Sequence, residues 1–129
     1  MATSIPTSYK SDLGPAGLKG FFRITEEWQL STDEQIKLLN VPASTFHGWR
    51  SNPSAARLHH DTLERISYIL GIYKNLHILL GDKKLADAWI RNPNKATPFG
   101  GRPAIERMIS GNVGDLFVVR RYLDGQVRG

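Results

Sequence analysis

The sequence predicts an all-α protein in which a helix-turn-helix module and a second small helical module share one long central helix. Three observations predict it. Between His60 and Gly81, Leu63, Ile66, Leu70, Tyr73, His77 and Leu80 recur every three or four residues, and Ile69, Ile72, Leu76 and Leu79 form a second stripe beside them. That spacing belongs to a helix of 3.6 residues per turn, apolar on two sides and therefore needing cover on two sides. Ser31 with Glu34 three residues on has the form of a capping box, and two short helical patterns follow it, parted only by residues 40–42. No stretch has the alternation of a half-buried strand.

Residues 1–14 are rich in Ser, Thr and Pro without periodicity, which predicts a mobile arm. Pro15 suits the first position of a helix, and Leu18, Phe21, Phe22, Ile24 and Trp28 give that helix an apolar face. After the capping box, Ile36, Leu38 and Leu39 supply the buried side of a short helix. It should end at Asn40, a residue tolerant of left-handed backbone. Val41 and Pro42 lead into Ala43–Arg50, with Phe46 and Trp49 on one face, completing a helix-turn-helix within residues 15–60. Residues 51–58 read as a loop turned at Asn52-Pro53-Ser54.

The central helix spans residues 61–81, with Asp61 as expected N-cap, Glu64 three residues on, and Gly81 where the chain should leave it. It serves either as a spine between two modules or as the buried helix of a one-piece bundle; periodicity alone allows both. Residues 82–129 form the second module. Asp82 can cap a helix carrying Leu85, Ala86, Trp89 and Ile90 that stops at Asn92-Pro93. Residues 94–101 have no period, and the Gly100-Gly101 pair allows a tight turn. Pro103 restarts a helix through Ile105, Met108 and Ile109, closed by Ser110-Gly111. A last helix from about Asn112 to Asp124 buries Val113, Leu116, Phe117, Val119 and Leu123, and should end near Asp124-Gly125, releasing Gln126, Val127, Arg128 and Gly129 as a tail.

With 129 residues, 40% of them apolar, the chain can build one modest core or two very small ones sharing a helix. Cysteine is absent, which excludes a disulfide framework and a thiolate nucleophile. No signal-peptide core and no apolar run of membrane-span length occurs, so a soluble cytoplasmic protein is expected, without membrane contact. The net charge is +5. Its distribution says more than its size. From Gln35 to His60 there is no carboxylate, while Lys37, Arg50 and Arg57 are joined by His47, His59 and His60. A locally cationic stretch of this kind suits a surface that meets phosphate. Catalysis finds no support: His59 and His60 are adjacent and so point apart, no Glu stands at metal-ligand spacing beside them, and His77 lies on the apolar stripe. No catalytic residue, metal or cofactor is assigned.

A helix-turn-helix works by placing its second helix in the DNA major groove, inner face packed and outer face polar. Phe46 and Trp49 are the packing pair here, and Ala43, Ser44, Thr45, His47 and Arg50 face out, flanked by Lys37 and Arg57. Arg50 suits a guanine or a phosphate, while Ser44, Thr45 and His47 can reach base edges or phosphates. A solvated face of an ordinary helical pair gives the same pattern. The run Leu38-Leu39-Asn40-Val41-Pro42-Ala43-Ser44-Thr45-Phe46-His47-Gly48-Trp49 resembles the core of Xre-type regulators. Three positions depart from that core: Ile36 replaces Ala at the helix crossing, Asn40 replaces the turn Gly, and Gly48 removes a side chain from the recognition helix.

The second module narrows the choice. Ala88-Trp89-Ile90-Arg91-Asn92-Pro93, Phe99-Gly100-Gly101-Arg102-Pro103 with Ile105-Glu106, Ser110-Gly111, and Val118-Val119-Arg120-Arg121-Tyr122-Leu123 are together similar to the toxin-binding domain of Xre/MbcA/ParS-type antitoxins. The resemblance covers about residues 25–129. It implies an antitoxin of a type II toxin-antitoxin system, which neutralises a RES-domain toxin that consumes NAD and represses its own operon by binding operator DNA. Competing readings are an interaction protein with a vestigial helix-turn-helix and a free-standing regulator. A homodimer is expected, since the central helix has apolar surface to spare and two half-sites need two-fold symmetry. Arg102, Arg120, Arg121 and Arg128 suit planar contacts with carboxylates of the toxin. On the same reading Gln126, Val127, Arg128 and Gly129 enter the toxin's pocket, and Arg121 and Tyr122 anchor the root of that tail.

Overall fold

The computed structural model describes the backbone from residue 7 to 129 and the side chains from residue 14 onward. Among the described residues every regular element is helical: α1 (Thr7–Glu27), α2 (Thr32–Leu39), α3 (Ala43–Ser51), α4 (His60–Leu80), α5 (Lys83–Ala88), α6 (Ala104–Met108) and α7 (Val113–Arg128). Short 3₁₀ turns occupy Pro53–Ala55 and Trp89–Arg91.

Most starts and stops are those the side chains dictate. Ser31 Oγ accepts from the Glu34 N–H at 3.1 Å and Glu34 Oε1 accepts from the Ser31 N–H at 2.9 Å, so two otherwise orphaned donors are satisfied reciprocally. Asn40 closes α2 in the left-handed region at φ 54° and its N–H returns to the Ile36 carbonyl. Asp82 Oδ1 caps α5 by accepting from the Leu85 N–H at 3.0 Å. Gly81 ends α4 at φ 65°, a conformation in which a Cβ would be strained.

Three boundaries differ from expectation. Helix α1 begins at Thr7, so residues 7–14 of the expected arm are helical, and the remainder, residues 1–6, lies outside the described residues. Pro15 lacks an N–H, yet its fixed φ fits a helix and Gly14 is already buried near Leu58 and Leu63. Helix α4 is capped by His59, with no side-chain bond, and not by Asp61. Asp61 sits in the first turn, and its carboxylate accepts from Arg65 one turn on, at 2.8 Å. Finally, α7 does not stop at Asp124. It continues through Gly125 to Arg128, so Gln126, Val127 and Arg128 are helical and no four-residue tail is released. One exposed glycine costs a helix only about 1 kcal/mol, and the Arg128 guanidinium turns back to the Asp124 carbonyl at 3.4 Å.

The core is continuous. Leu18, Phe21, Leu38, Leu39 and Phe46 from the first three helices, Ile66, Ile69, Ile72 and Leu76 from α4, and Ile90, Met108, Leu116, Val119 and Leu123 from the second half all belong to one buried cluster. Helix α4 is its axis, covered by α1 and α2 on one side and by α5 and α7 on the other. Helices α4 and α7 run parallel. Tyr68 packs on Phe117, Gly71 lies under Arg120, and Asn75 Nδ2 donates to Asp124 Oδ1 at 2.7 Å, each pair separated by the same 49 positions. At Gly71 any Cβ would fall on the Arg120 guanidinium, so the crossing requires glycine or a displaced Arg120.

Two arginines brace the halves against each other. Arg65, 3% exposed, donates to the Leu38 carbonyl at the end of α2 and to the Gly111 carbonyl ahead of α7, at 3.4 and 2.8 Å. Arg91 spans from the second 3₁₀ turn to Glu34 Oε1 at 2.9 Å and to the Gln29 carbonyl at 3.2 Å. Its hydrogen bond, more than any other influence, holds the Glu34 carboxyl below the usual carboxylate range.

Candidate nucleic-acid interface and partner-binding face

Helices α2 and α3 are joined by residues 40–42, with the turn set by left-handed Asn40 and by Pro42 as N-cap of α3. Phe46 is fully buried and Trp49 nearly so, and Phe46 meets Phe22 of α1 edge-on with ring centres 5.8 Å apart. That pins the inner face of α3. Ala43, Ser44, His47, Gly48 and Arg50 are exposed on the opposite side, and Thr45 is half-buried at its margin. The structure therefore gathers five of the seven expected DNA-facing residues on one short helix. Lys37 is exposed on α2 but carries an ion pair with Asp33 at 3.0 Å, and Arg57 is exposed beyond the 3₁₀ turn.

Arg50 does not project straight outward. Its guanidinium carbon lies 5.5 Å from the centre of the Phe22 ring, a cation–π arrangement that draws it toward α1. There it joins Lys19 and Arg23, which line a cleft with Phe22, Glu26, Arg50 and Pro53. These two cations were not among the expected site residues, because the plainest signal of α1 in the sequence is its apolar face. Their spacing of four, on the stripe beside that apolar face, was the available signal.

Gly48 is a separate matter. A Cβ added there would meet nothing within 4 Å, so packing does not require the glycine. Gly48→Ala is expected to stabilise the protein by about 0.5–1 kcal/mol. Chemical denaturation checks this, and a destabilised variant would mean that α3 bends at this point.

Two family models match the chain in succession. The antitoxin Xre-like helix-turn-helix domain matches residues 10–71, and the antitoxin Xre/MbcA/ParS C-terminal toxin-binding domain matches residues 75–127. The chain belongs to the Xre/MbcA/ParS antitoxins. The uncharacterized protein y4oB of Sinorhizobium fredii is 47% identical to this antitoxin over 116 residues, which are 89% of this chain and 87% of that protein. The antitoxin thus joins a DNA-binding helix-turn-helix to a toxin-binding domain, and neither family is one of enzymes. Among the described residues no helix is long and apolar enough to cross a membrane, and no group of three or more His, Asp or Glu is placed to hold a metal ion.

The expected toxin-binding residues of the antitoxin are not brought together. Arg102 is exposed and paired with Glu106 at 3.1 Å. Arg120 is half-buried over Gly71, with Nε donating to Asp124 at 3.0 Å, which makes it part of the α4–α7 packing. Tyr122 stacks on Trp89 and meets Phe99 edge-on, so it belongs to an aromatic cluster and not to the root of a tail. Arg121, Gln126, Val127 and Arg128 are exposed near the end of α7, and Gly129 follows it. The unexpected feature of this half is apolar. The exposed large hydrophobic side chains of the described residues are Ile78, Leu80, Leu85, Phe117 and Val127. Leu80, Leu85 and Phe117 were expected to be buried. Leu80 and Leu85 flank the turn from α4 to α5, Phe117 lies near the start of α7 against Tyr68, and the 49-residue offset between α4 and α7 sets Val127 level with Ile78.

Proposed function

We propose that this antitoxin neutralises a RES-domain toxin, an enzyme that consumes NAD, and that as a homodimer it represses its own operon. The observation that carries the toxin half is the segregation of apolar surface. Among the described residues, all five exposed large hydrophobic side chains lie between residues 78 and 127, inside the toxin-binding match, and none lies in the helix-turn-helix. Exposed apolar side chains concentrated in one part of a protein mark surfaces made for another protein. The DNA half is supported by the polar outer face of α3 and by the acid-free stretch that contains it.

Co-expression with the protein encoded beside it provides the test. The expected result is a co-purifying complex in which NAD consumption by that partner is suppressed, with a dimer mass for the free antitoxin in sedimentation. A partner that shows no NAD consumption when released would remove the RES assignment. A monomer mass independent of concentration would remove the dimer, and unchanged promoter output in a reporter strain would remove repression.

A further inference from the structure

Lys19 and Arg23 have no part in packing the helix-turn-helix, yet they stand at its edge. On α1, Lys19, Phe22, Arg23 and Glu26 share one stripe and form a wall of an open cleft of about 370 Å³, with Arg50 and Pro53 opposite. Arg50 is drawn into this cleft by its contact with Phe22. Lys37, Lys83, Arg91, Arg102 and Arg107 are each paired with a carboxylate. Among the described residues none of Lys19, Arg23 and Arg50 is. Among the described residues, three cations against one carboxylate leave the cleft positive. Glu26, one turn beyond Arg23, repels an anion from the far end, so the favourable seat lies at the Lys19 and Arg23 end of the cleft, with Arg50 over Phe22.

We infer that this cleft is a phosphate clamp: Lys19, Arg23 and Arg50 hold backbone phosphates of duplex DNA beside the groove that α3 enters. The assignment rests on the helix-turn-helix binding DNA. Lys19 supplies a point charge and the two arginines supply planar forks, a combination suited to phosphate oxygens. Arg50 then sets the position of the protein on the duplex, and Ser44, Thr45 and His47 are left to meet base edges.

The clamp is tested by fluorescence anisotropy of the full chain on two duplexes, its own upstream region and a scrambled sequence of equal length, over a range of potassium chloride. Lys19→Gln with Arg23→Gln should flatten the slope of log affinity against log salt by about 1 to 2 units, since fewer counterions are released. The fold-loss should be equal on both duplexes, and Arg50→Gln should flatten the slope further without changing their affinity ratio. Both α1 side chains are exposed, so thermal melting should match the wild type. An unchanged slope in the double variant, a loss confined to one duplex, or a loss of toxin binding with DNA binding intact would overturn the clamp alone. Failure of the wild-type protein to bind either duplex would overturn the DNA-binding reading and the clamp with it.

Discussion

Arg65→Ala is expected to lower the free energy of unfolding by about 2–4 kcal/mol. The side chain is buried and its three donating nitrogens are all used: Nε on Asp61, Nη1 on the Leu38 carbonyl and Nη2 on the Gly111 carbonyl. Truncation withdraws a charged donor from two backbone acceptors and leaves a void where the long side chain stood, and both effects act in the same direction. Asp61 adds little, because half of its side chain is in water and stays hydrated without a partner. Lysine should rescue only part of the loss, since one ammonium cannot reproduce three donors spread across a planar fork. Urea denaturation of the two variants checks this. A loss for Arg65→Ala smaller than about 1 kcal/mol would place it among ordinary surface substitutions and show that water replaces the guanidinium.

Ile78→Asp combined with Val127→Asp is expected to weaken toxin binding by about 30- to 1,000-fold, the range of losses at interface hot spots. Each side chain reaches solvent, Ile78 at 55% and Val127 at 36% exposure, so a carboxylate at either position can stay hydrated in the free protein. Within an interface the same carboxylate is stripped of water in an apolar setting, and that penalty falls on the complex alone. Arg121→Ala, changing an exposed neighbour on α7, serves as the charged comparison. If neutralisation survives the double aspartate variant and is lost with Arg121→Ala, the toxin is held by the guanidinium groups and the apolar end of α4 and α7 is not the docking surface.

The helical plan was legible because its punctuation is local. Ser31, Glu34, Asn40, Gly81 and Asp82 act on backbone groups within a turn of themselves, and the two stripes of α4 state directly that it is covered twice. The recognition helix was readable for the same reason, since Phe46 and Trp49 separate its inner from its outer face. Long-range effects were not. Asp61 resembles a cap in sequence, and only the placement of Leu38 and Gly111 explains why Arg65 is buried beside it. Arg120 was expected to meet toxin carboxylates and Tyr122 to anchor the root of a tail, whereas Gly71, Trp89 and Phe99 draw them into the packing. The end of α7 was misplaced at a glycine whose cost is small against the bonds of the last turn. Exposure of Leu85 and Phe117 depends on which helices pack beside them, and no periodicity records that.

The two family matches meet between residues 71 and 75, in the middle of α4. A boundary inside an unbroken helix has consequences for how such proteins can be recombined. Ile69 lies before the junction, Ile72 within it and Leu76 after it, all in the same core, so a chimaera spliced there must match side-chain volumes and helical phase across the cut. Arg65 tightens the condition, because it comes with the first segment and needs the Gly111 carbonyl from the second. Exchange of toxin specificity between relatives by simple cassette transfer is therefore disfavoured for this scaffold. Partner choice can drift more freely at positions such as Ile78, Leu85 and Val127, which the core does not constrain.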